Sequence, residues 1–331
     1  MSSAHANISL FVPHVGCPNM CSFCDQRHIT GVTVLPGEND VINAVNTAKK
    51  SPGYDPENTE IAFFGGSFTA INRNYMLSLL SAANIFVKSG DVRGIRISTR
   101  PDAIDRDILD LLKSYGVTSI ELGAQSMDDG VLLKNNRGHP AQDVIIASKL
   151  IKAHGFSLGL QMMTGLYGDT DEKAIDTANK IIALKPETVR IYPTIVLKGT
   201  TLAALYADGH YKPQTVEEAV KICAELLVLF KSAGVKVIRL GLHSIEKEAY
   251  VSGPWHPAFS ELCYSRLFLE NALGLLDKKG KYTLFVAPTA ISKMTGQNRE
   301  NIKKLEQFGY LCSVMPDSRL QGDEIYVKGS E

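Results

Sequence analysis

The sequence lacks long hydrophobic runs, a basic amino terminus and an excess of either charge. No apolar run reaches the roughly 18–20 residues of a membrane-spanning helix, and residues 1–10 do not place basic residues before an apolar core. Lys and Arg number 35 and so do Asp and Glu, which gives no overall basic footprint for nucleic acid. Apolar residues make up 44% of the 331 positions, which excludes disorder. The composition predicts two domains, or one large α/β barrel with an appendage.

Cysteine is scarce, and its six occurrences are unevenly spread. A chain of this length without a secretory leader is not expected to have a disulfide framework, so we predict a reducing, cytoplasmic setting. Three of the six, Cys17, Cys21 and Cys24, nevertheless lie within eight residues. This spacing predicts that their sulfurs bind one metal ion or cluster.

Short apolar runs alternate with longer amphipathic ones. The short runs predict six strands, at residues 8–12, 60–64, 94–99, 118–122, 156–162 and 188–192. Helices are predicted between them, among them residues 102–115 with Asp102 as the N-cap. Because the strands lack polar alternation, we predict an α/β fold with a parallel sheet, as an open six-stranded barrel in preference to a flat doubly wound sheet.

The chain divides into three predicted regions. Residues 1–240 are predicted to form the barrel, 241–275 a loop-rich connector, and 276–331 a small C-terminal α+β unit. A further strand is predicted at residues 236–240. In the C-terminal unit we expect strands at residues 282–286, 311–315 and 324–327 and one helix over residues 290–308.

Unusual residues follow the strands of the predicted barrel. Since active sites of such barrels lie at the carboxyl ends of the strands, these residues are expected to meet at one rim. They are the cysteine loop, Gly65-Gly66-Ser67, Arg100-Pro101-Asp102, Gly123-Ala124-Gln125-Ser126, residues 163–168 and Pro193-Thr194.

Three closely spaced thiolates suit two kinds of site. A structural zinc ion would need a fourth ligand, for which His14 and His28 are close in sequence. A [4Fe–4S] cluster could instead have three ligated irons and one open iron. The position of the loop after a barrel strand, with Phe23 before the third cysteine, favours the cluster.

The segment Cys17-Pro-Asn-Met-Cys21-Ser-Phe-Cys24 resembles the signature of radical S-adenosylmethionine (SAM) enzymes. The resemblance implies an open (β/α)6 partial TIM barrel whose open iron chelates the amino and carboxylate groups of SAM, with Phe23 beside the adenine. It also implies reductive cleavage of SAM to methionine and a 5′-deoxyadenosyl radical that abstracts a hydrogen atom. A low-potential electron donor such as flavodoxin or ferredoxin would supply the electron.

Further contacts to SAM are implied by position. Gly65-Gly66-Ser67 stands where radical SAM enzymes have a Gly-Gly-Glu-like motif whose backbone binds the SAM amino group, although two glycines also suit a tight turn. Ser98 and Arg100 end the third strand, and Arg100 would face the SAM carboxylate or pair with Glu121 on the next strand. Gln125 resembles a superfamily position near SAM, with a buried structural glutamine as the alternative.

Several motifs occur in the order found in the radical SAM half of the Elongator catalytic subunit, the enzyme family that carboxymethylates the tRNA wobble uridine. The motifs are Ser98-Thr-Arg-Pro-Asp102, Leu122-Gly-Ala-Gln-Ser126, Asn136-Arg-Gly-His139, Gln161-Met-Met163, Ile191-Tyr-Pro-Thr194, Lys198-Gly-Thr200 and Gly209-His-Tyr-Lys-Pro213. The resemblance covers about residues 8–270, and it extends more generally to oxygen-independent coproporphyrinogen oxidases.

Two departures limit what the resemblance implies. The Elongator subunit spaces its first two cluster cysteines widely, whereas here the spacing is short. About 60 residues follow Asn271, too few for the acetyltransferase domain of that family, so we expect a stand-alone relative without acetyl transfer. Residues 292–304 resemble the helix entrance of KH-type RNA-binding modules, with Arg299 in place of the second glycine.

Three hypotheses of function follow. The first is a radical SAM enzyme that modifies RNA, with tRNA as the substrate. The second is a radical SAM enzyme acting on a small metabolite or peptide, and the third is a non-enzymatic Fe–S or zinc RNA-binding protein. His139, after Arg137, is a candidate for proton transfer or for a backbone-bonded structural role. His243, His256 and Cys263 form a weaker candidate for a second metal site, since their spacing matches no standard pattern.

Overall fold

The computed structural model describes residues 5–13, 20–24, 34–242 and 247–330. Within these residues seven parallel strands form one curled sheet, in the order β1-β2-β3-β4-β5-β6-β8. The strands are β1 (Ala6–Val12), β2 (Thr59–Gly65), β3 (Gly94–Thr99), β4 (Val117–Gln125), β5 (Ser157–Thr164), β6 (Thr188–Pro193), β7 (Val196–Leu197), which pairs outside the sheet, and β8 (Lys236–Leu240). The predicted open parallel barrel is confirmed, and the strand predicted at residues 236–240 extends it by one.

Helices follow the strands along the chain, and most of them contribute side chains to the apolar core of the sheet. They are α1 (Glu38–Ala48), α2 (Arg73–Lys88), α3 (Arg106–Ser114), α4 (Asp129–Lys134), α5 (Ala141–Ala153), α6 (Asp171–Ala183), α7 (Thr201–Ala207) and α8 (Val216–Ser232). Helix α8 shows how the sequence sets such a boundary. Thr215 and Glu218 form a reciprocal capping box, and the buried side chains that follow recur at helical spacing toward the sheet.

The predicted start of the third helix is wrong. Helix α3 begins at Arg106, and the carboxylate of Asp105 caps it by accepting a 2.8 Å hydrogen bond from the Ile108 amide. Residues Pro101–Ala103 form a single 3-10 turn. Asp102 does not cap because its carboxylate binds the guanidinium of Arg100 instead.

A buried charge network crosses the inside of the barrel. Arg96 on β3 donates to Glu60 on β2 at 2.8 Å and lies 3.1 Å from Glu121 on β4. Glu121 also accepts from Arg190 Nη2 on β6 at 2.9 Å. Buried charges are tolerated when they are paired, and these pairs connect four strands through their side chains.

The stretch predicted to be a loop-rich connector contains a long helix. Strand β9 (Tyr250–Ser252) pairs with β7, and α9 (Phe259–Leu275) follows. Phe259, Cys263 and Leu267 on α9 belong to the barrel core, whereas Phe268 and Leu269 belong to a second apolar cluster. Helix α9 therefore has apolar side chains on opposite sides. Its sequence shows no single apolar stripe, and for this reason the pattern did not predict a helix there.

The C-terminal unit packs on α9 around the second cluster. Its three strands β10 (Gly280–Val286), β11 (Tyr310–Pro316) and β12 (Ile325–Ser330) are ordered β11-β10-β12, with β10 parallel to β11 and antiparallel to β12. The single helix predicted over residues 290–308 is instead two, α10 (Ile291–Thr295) and α11 (Glu300–Gln307). The positive φ angles of Gly296, at 77°, and Arg299, at 62°, break it.

None of the helices in the described ranges is both long enough and apolar enough to cross a membrane.

Candidate cofactor site at the rim of the barrel

The residues expected at the rim lie at one edge of the sheet. Strand β2 ends at Gly65, level with Val12 of β1, and Thr99 of β3 pairs with Leu122 of β4. Gln125 closes β4 beside Met162 of β5. Since all these strands are parallel, their carboxyl ends and the loops that follow them surround one opening.

Two of the three clustered cysteines lie in the described part of the chain. The Cys24 amide donates to the Cys21 carbonyl at 3.1 Å, which closes a tight turn between the two thiols. Cys17, like the alternative zinc ligands His14 and His28, lies outside the described residues. Thiol sulfurs on such a turn are the donors that an iron–sulfur cluster takes.

A turn after α4 holds the cysteine loop in place. The Ser22 amide donates to the Asn135 carbonyl at 3.1 Å, and the Ser22 hydroxyl donates to Asn135 Oδ1 at 2.7 Å. Asn136 Nδ2 donates to the Met20 carbonyl at 3.0 Å. Residues 135–137, the 135–137 turn, thus bind residues 20–22 through backbone and side chains. Sequence analysis missed Asn135, whose only local signal is its place before the Asn136-Arg137 motif.

Arg137 completes this turn. Its Nη1 donates to Cys21 Sγ at 3.2 Å, and its Nη2 donates to the Gly123 carbonyl at 2.6 Å. The same Nη2 lies 3.2 Å from His139 Nε2, while His139 Nδ1 lies 3.1 Å from the Pro140 carbonyl. Arg137 can only donate, so His139 Nε2 accepts and Nδ1 carries the proton.

Burial and the neighbouring Arg137 cation lower the pKa of His139, which favours the neutral ring. Both ring nitrogens of the buried imidazole are occupied by protein groups. The structure therefore agrees with the backbone-bonded structural role for His139.

The two glycines after β2 are required by their surroundings. Gly65 has a φ of 121°, and a Cβ there would lie 2.3 Å from the Val12 carbonyl oxygen. The Gly66 amide donates to that same carbonyl at 3.0 Å. The backbone of Gly66 is partly exposed at the rim. Its carbonyl oxygen is the kind of acceptor that an amino group of a ligand needs.

Ser67 connects the β2 and β3 loops. Its buried hydroxyl lies 2.8 Å from Thr99 Oγ1 and accepts from the Arg100 amide at 3.1 Å. Thr99 Oγ1 also bonds Thr69 Oγ1 at 2.6 Å. The Ser67 side chain is therefore engaged with protein, and it fixes one rim loop against the next.

The pairing of Arg100 with Glu121 that we considered is wrong. The Arg100 guanidinium forms a two-pronged pair with Asp102, at 2.7 and 2.8 Å, and donates to the Arg137 carbonyl at 3.0 Å. Glu121 is already bound by Arg96 and Arg190 deeper in the barrel. Burial alone would raise the pKa of Asp102, but the Arg100 cation outweighs it and the pKa is lowered.

Three buried oxygen atoms at the rim have no hydrogen-bond partner among the described residues. They are Ser98 Oγ, Gln125 Oε1 and Thr194 Oγ1. Gln125 also has a φ of 65°, which is unusual for a residue with a side chain. Buried polar groups in proteins are nearly always satisfied, so unpaired ones at an opening fit a polar ligand. Thr194 was placed on the rim by the sequence analysis but was not selected as a site residue.

Phe23 is half-buried beside the cysteine loop. It packs against Val196, Leu202 and Tyr211, and the Leu202 amide donates to the Ser22 carbonyl at 2.8 Å. This places an aromatic ring next to the turn that carries the two described thiols, which fits a flat apolar group such as a purine.

The second metal site is not formed by the described residues. Cys263 lies fully buried in the barrel core, His256 Nδ1 accepts from the Ala258 amide at 3.1 Å, and His243 lies outside the described ranges. Within the described ranges, no three His, Cys, Asp or Glu side chains come together as metal ligands would. Trp255 packs against Tyr250.

Comparison with known families places these features in context. The family described as the Radical SAM superfamily matches residues 11–181, more than half of the chain, and the Radical_SAM C-terminal domain matches residues 186–268.

Similar proteins include an uncharacterized protein of Methanocaldococcus jannaschii, 27% identical over 276 residues, which are 82% of this chain and 79% of the relative. Elongator complex protein 3 of Bos taurus is 30% identical over 239 residues, which are 66% of this chain and 43% of that protein. The tRNA uridine(34) acetyltransferase of M. jannaschii is 29% identical over 51% of this chain and 35% of its own length. The chain thus spans less than half of the length of these last two relatives.

Among solved structures, the archaeal Methanocaldococcus infernus Elp3 with an N-terminal deletion is similar in fold. Its TM-score is 0.67 at 21% identity, over 84% of this chain and 66% of that chain.

Proposed function

This chain belongs to the radical SAM superfamily, and from that premise we propose that it modifies RNA, with tRNA as the substrate. It is an enzyme, and its cofactors are a [4Fe–4S] cluster and SAM. When bound, these groups supply an electron at low potential and a reductively cleavable sulfonium, which together start hydrogen-atom abstraction. The residues described above have the task of holding and shielding them.

We assign the cluster ligands to Cys17, Cys21 and Cys24. The observation that supports this assignment is the docking of residues 20–22 on the 135–137 turn at the rim of the barrel. A loop that is fixed at several points before the cluster arrives keeps its sulfurs in place at no further entropic cost.

We assign the SAM contacts to the opening beside this loop. The Gly65 and Gly66 backbone would accept from the amino group, and Ser98 and Gln125 carry unpaired polar atoms that would bind the polar end. Phe23 would lie against the adenine. Arg100, held by Asp102, would lie beside the SAM carboxylate, and Ser67 sets the spacing of the loops around it.

The choice of tRNA is supported by what the relatives are named for. The Elongator complex protein 3 similarity extends over 239 residues, and relatives from two organisms are tRNA uridine(34) acetyltransferases. Because this chain spans under half of the M. jannaschii relative, acetyl transfer is not part of the proposal. We propose that the reaction takes place in the cytoplasm with flavodoxin or ferredoxin as the electron donor.

The outer face of the C-terminal sheet also supports an RNA substrate. Phe285 on β10 and Tyr326 on β12 lie side by side with ring centroids 5.9 Å apart, and Tyr326 is exposed. Lys281 and Lys328 are on the same face because they alternate with the inward-facing residues of their strands. Exposed aromatic rings flanked by lysines are the surface on which unstacked bases bind.

The test combines cleavage and binding. Chain reconstituted anaerobically with iron and sulfide, then reduced with dithionite in the presence of SAM, is expected to form 5′-deoxyadenosine, and Cys21→Ala is expected to abolish it. Retention on immobilised tRNA should fall steeply with salt. Tyr326→Ala should weaken retention without changing SAM cleavage, and exposed Val251→Ala is the matched control.

Each outcome decides between the hypotheses. Cleavage without retention on tRNA would contradict the RNA substrate and favour a small metabolite or peptide. Retention without cleavage in a chain that has its full iron and sulfide would indicate a non-catalytic RNA-binding protein.

A further inference from the structure

Arg137 is a buried cation that has no anionic partner among the residues that the structure describes. Its side chain contacts Cys21 Sγ, the Gly123 carbonyl and His139 Nε2. In the described part of the chain, no carboxylate lies within ion-pair distance of its guanidinium, and its Nε has no partner. The other buried arginines near the barrel axis differ, since Arg96, Arg100 and Arg190 each have an aspartate or glutamate.

Such a charge requires compensation. Burying an unpaired cation costs several kcal/mol, so it is retained where an anion will be present. Nη1 lies 3.2 Å from the Cys21 thiol, and a thiol that ligates iron is deprotonated. The positive charge of the guanidinium therefore matches the Cys21 thiolate of a cluster-containing site and not the neutral thiol of the free chain.

The rest of the surroundings fix the direction of this side chain. Nη2 is anchored on the Gly123 carbonyl, and a Cβ at Gly123 would approach the same Nη2 to 3.5 Å. The Arg137 carbonyl accepts from Arg100, which is itself held by Asp102. The neutral His139 ring occupies the remaining side. With Nη2 held by the Gly123 carbonyl and His139, Nη1 is directed at Cys21.

We propose that Arg137 is a positioning residue for the cluster, which orients the Cys21 thiolate and raises the reduction potential of the cluster through its hydrogen bond to Sγ. A hydrogen bond to a cluster sulfur favours the reduced state, because that state carries one more negative charge. The proposal rests on Cys21 as a ligand of the proposed cluster, and it does not depend on what the substrate is.

The experiment is a redox titration of the reconstituted chain, followed by the EPR signal of the reduced cluster in the presence and absence of SAM, with no RNA added. Arg137→Gln keeps an amide donor and removes the charge. Arg137→Lys keeps the charge but lacks the planar guanidinium with its several N–H donors. Arg106→Gln, an exposed arginine at the start of α3, is the matched control for net charge.

At equal iron and sulfide content, Arg137→Gln is expected to shift the reduction equilibrium about tenfold toward the oxidised cluster, which is about 59 mV for one electron. Arg137→Lys should fall between Arg137→Gln and the wild type, and Arg106→Gln should match the wild type. A wild-type potential in Arg137→Gln overturns the proposal. If Arg137→Gln does not load, the comparison moves to Arg137→Lys, and a wild-type potential and signal there overturn it equally.

Iron and sulfide content separates this outcome from a failure of the family chemistry. A chain that takes up no cluster in its wild-type form would refute the cluster itself, whereas a loaded wild type with an unaltered Arg137→Gln potential refutes only the role of Arg137.

Discussion

The hydroxyl of Ser22 donates a 2.7 Å hydrogen bond to Asn135 Oδ1 across 113 residues of sequence, and both side chains are buried. Asn135 Nδ2 in turn donates to the carbonyls of Val131 and Tyr167. One amide therefore joins the cysteine loop to α4 and to the loop after β5.

Replacing Asn135 should loosen the cysteine loop. Asn135→Ala leaves the Ser22 hydroxyl and the Tyr167 carbonyl without this partner, which costs about 1–3 kcal/mol for a buried group. We expect lower iron uptake on reconstitution together with a lower free energy of unfolding. A double-mutant cycle with Ser22→Ala isolates the shared bond, and additive losses in the cycle would contradict the coupling.

Gly65→Ala should be more damaging than an alanine at an unobstructed glycine. The new Cβ would meet the Val12 carbonyl at 2.3 Å in a backbone conformation with φ of 121°. Gly53, with φ of 78° and nothing within 4 Å, is the matched control, since there alanine brings only the conformational cost of about 1–2 kcal/mol. Urea unfolding should show a larger loss for Gly65→Ala and, in parallel, weaker SAM binding. Equal losses would show that the Val12 contact is unimportant.

Glu121→Gln should destabilise the barrel strongly. The substitution removes the carboxylate that both Arg96 and Arg190 require, and breaking a buried pair costs about 3–5 kcal/mol. Asp176→Asn, which breaks a half-exposed helical pair with Lys180, should cost about 0.5 kcal/mol or less. The two free energies of unfolding are measured side by side in urea, and a similar small loss for both would contradict a structural role for the network.

Protonation of Glu60 at low pH should also weaken this charge network. Burial would raise the pKa of Glu60, but the Arg96 cation and the hydroxyls of Thr118 and Ser119 outweigh it, so the pKa is lowered. A carboxyl with a lowered pKa in the folded state stabilises the protein above its unfolded pKa of about 4.3, and the contribution is lost as the pH falls below that. In Glu60→Gln the free energy of unfolding should therefore fall less steeply with decreasing pH below about pH 4. The same dependence on pH as in the wild type would contradict this.

Asp169 should have the opposite pH dependence. Burial raises its pKa to about 6, while its carboxylate accepts from the Gly165 amide at 3.0 Å. Because the folded pKa lies above the unfolded value of about 3.9, the folded state binds more protons between these values, and stability falls as the pH rises through them. Asp169→Asn keeps an acceptor without the charge, so its stability relative to the wild type should increase from pH 4 to pH 7. A constant difference over that range would refute the assignment.

The sequence was informative where structure depends on near neighbours. The parallel strands, the further strand at residues 236–240 and the family of the cysteine motif all follow from residues a few positions apart. The contacts of the site are different in kind. Arg137 reaches Cys21 across 116 residues, and Asn135 reaches Ser22 across 113, so no local pattern marks either pair.

The wrong predictions have local physical causes. Aspartate is a favoured N-cap residue, which suggested Asp102. The carboxylate of Asp102 is instead bound by Arg100, and Asp105 caps α3. The helix predicted across residues 290–308 is interrupted where Gly296 and Arg299 take positive φ angles, which helix periodicity cannot register.

Helix α9 belongs to two apolar cores at once, with Phe259 and Cys263 in one and Phe268 and Leu269 in the other. A swivel between the barrel and the C-terminal unit would have to pull one end of a continuous 17-residue helix out of its core. The helix is about 25 Å long at 1.5 Å per residue, and it connects the two cores rigidly. The C-terminal unit is therefore kept at a fixed distance from the barrel core.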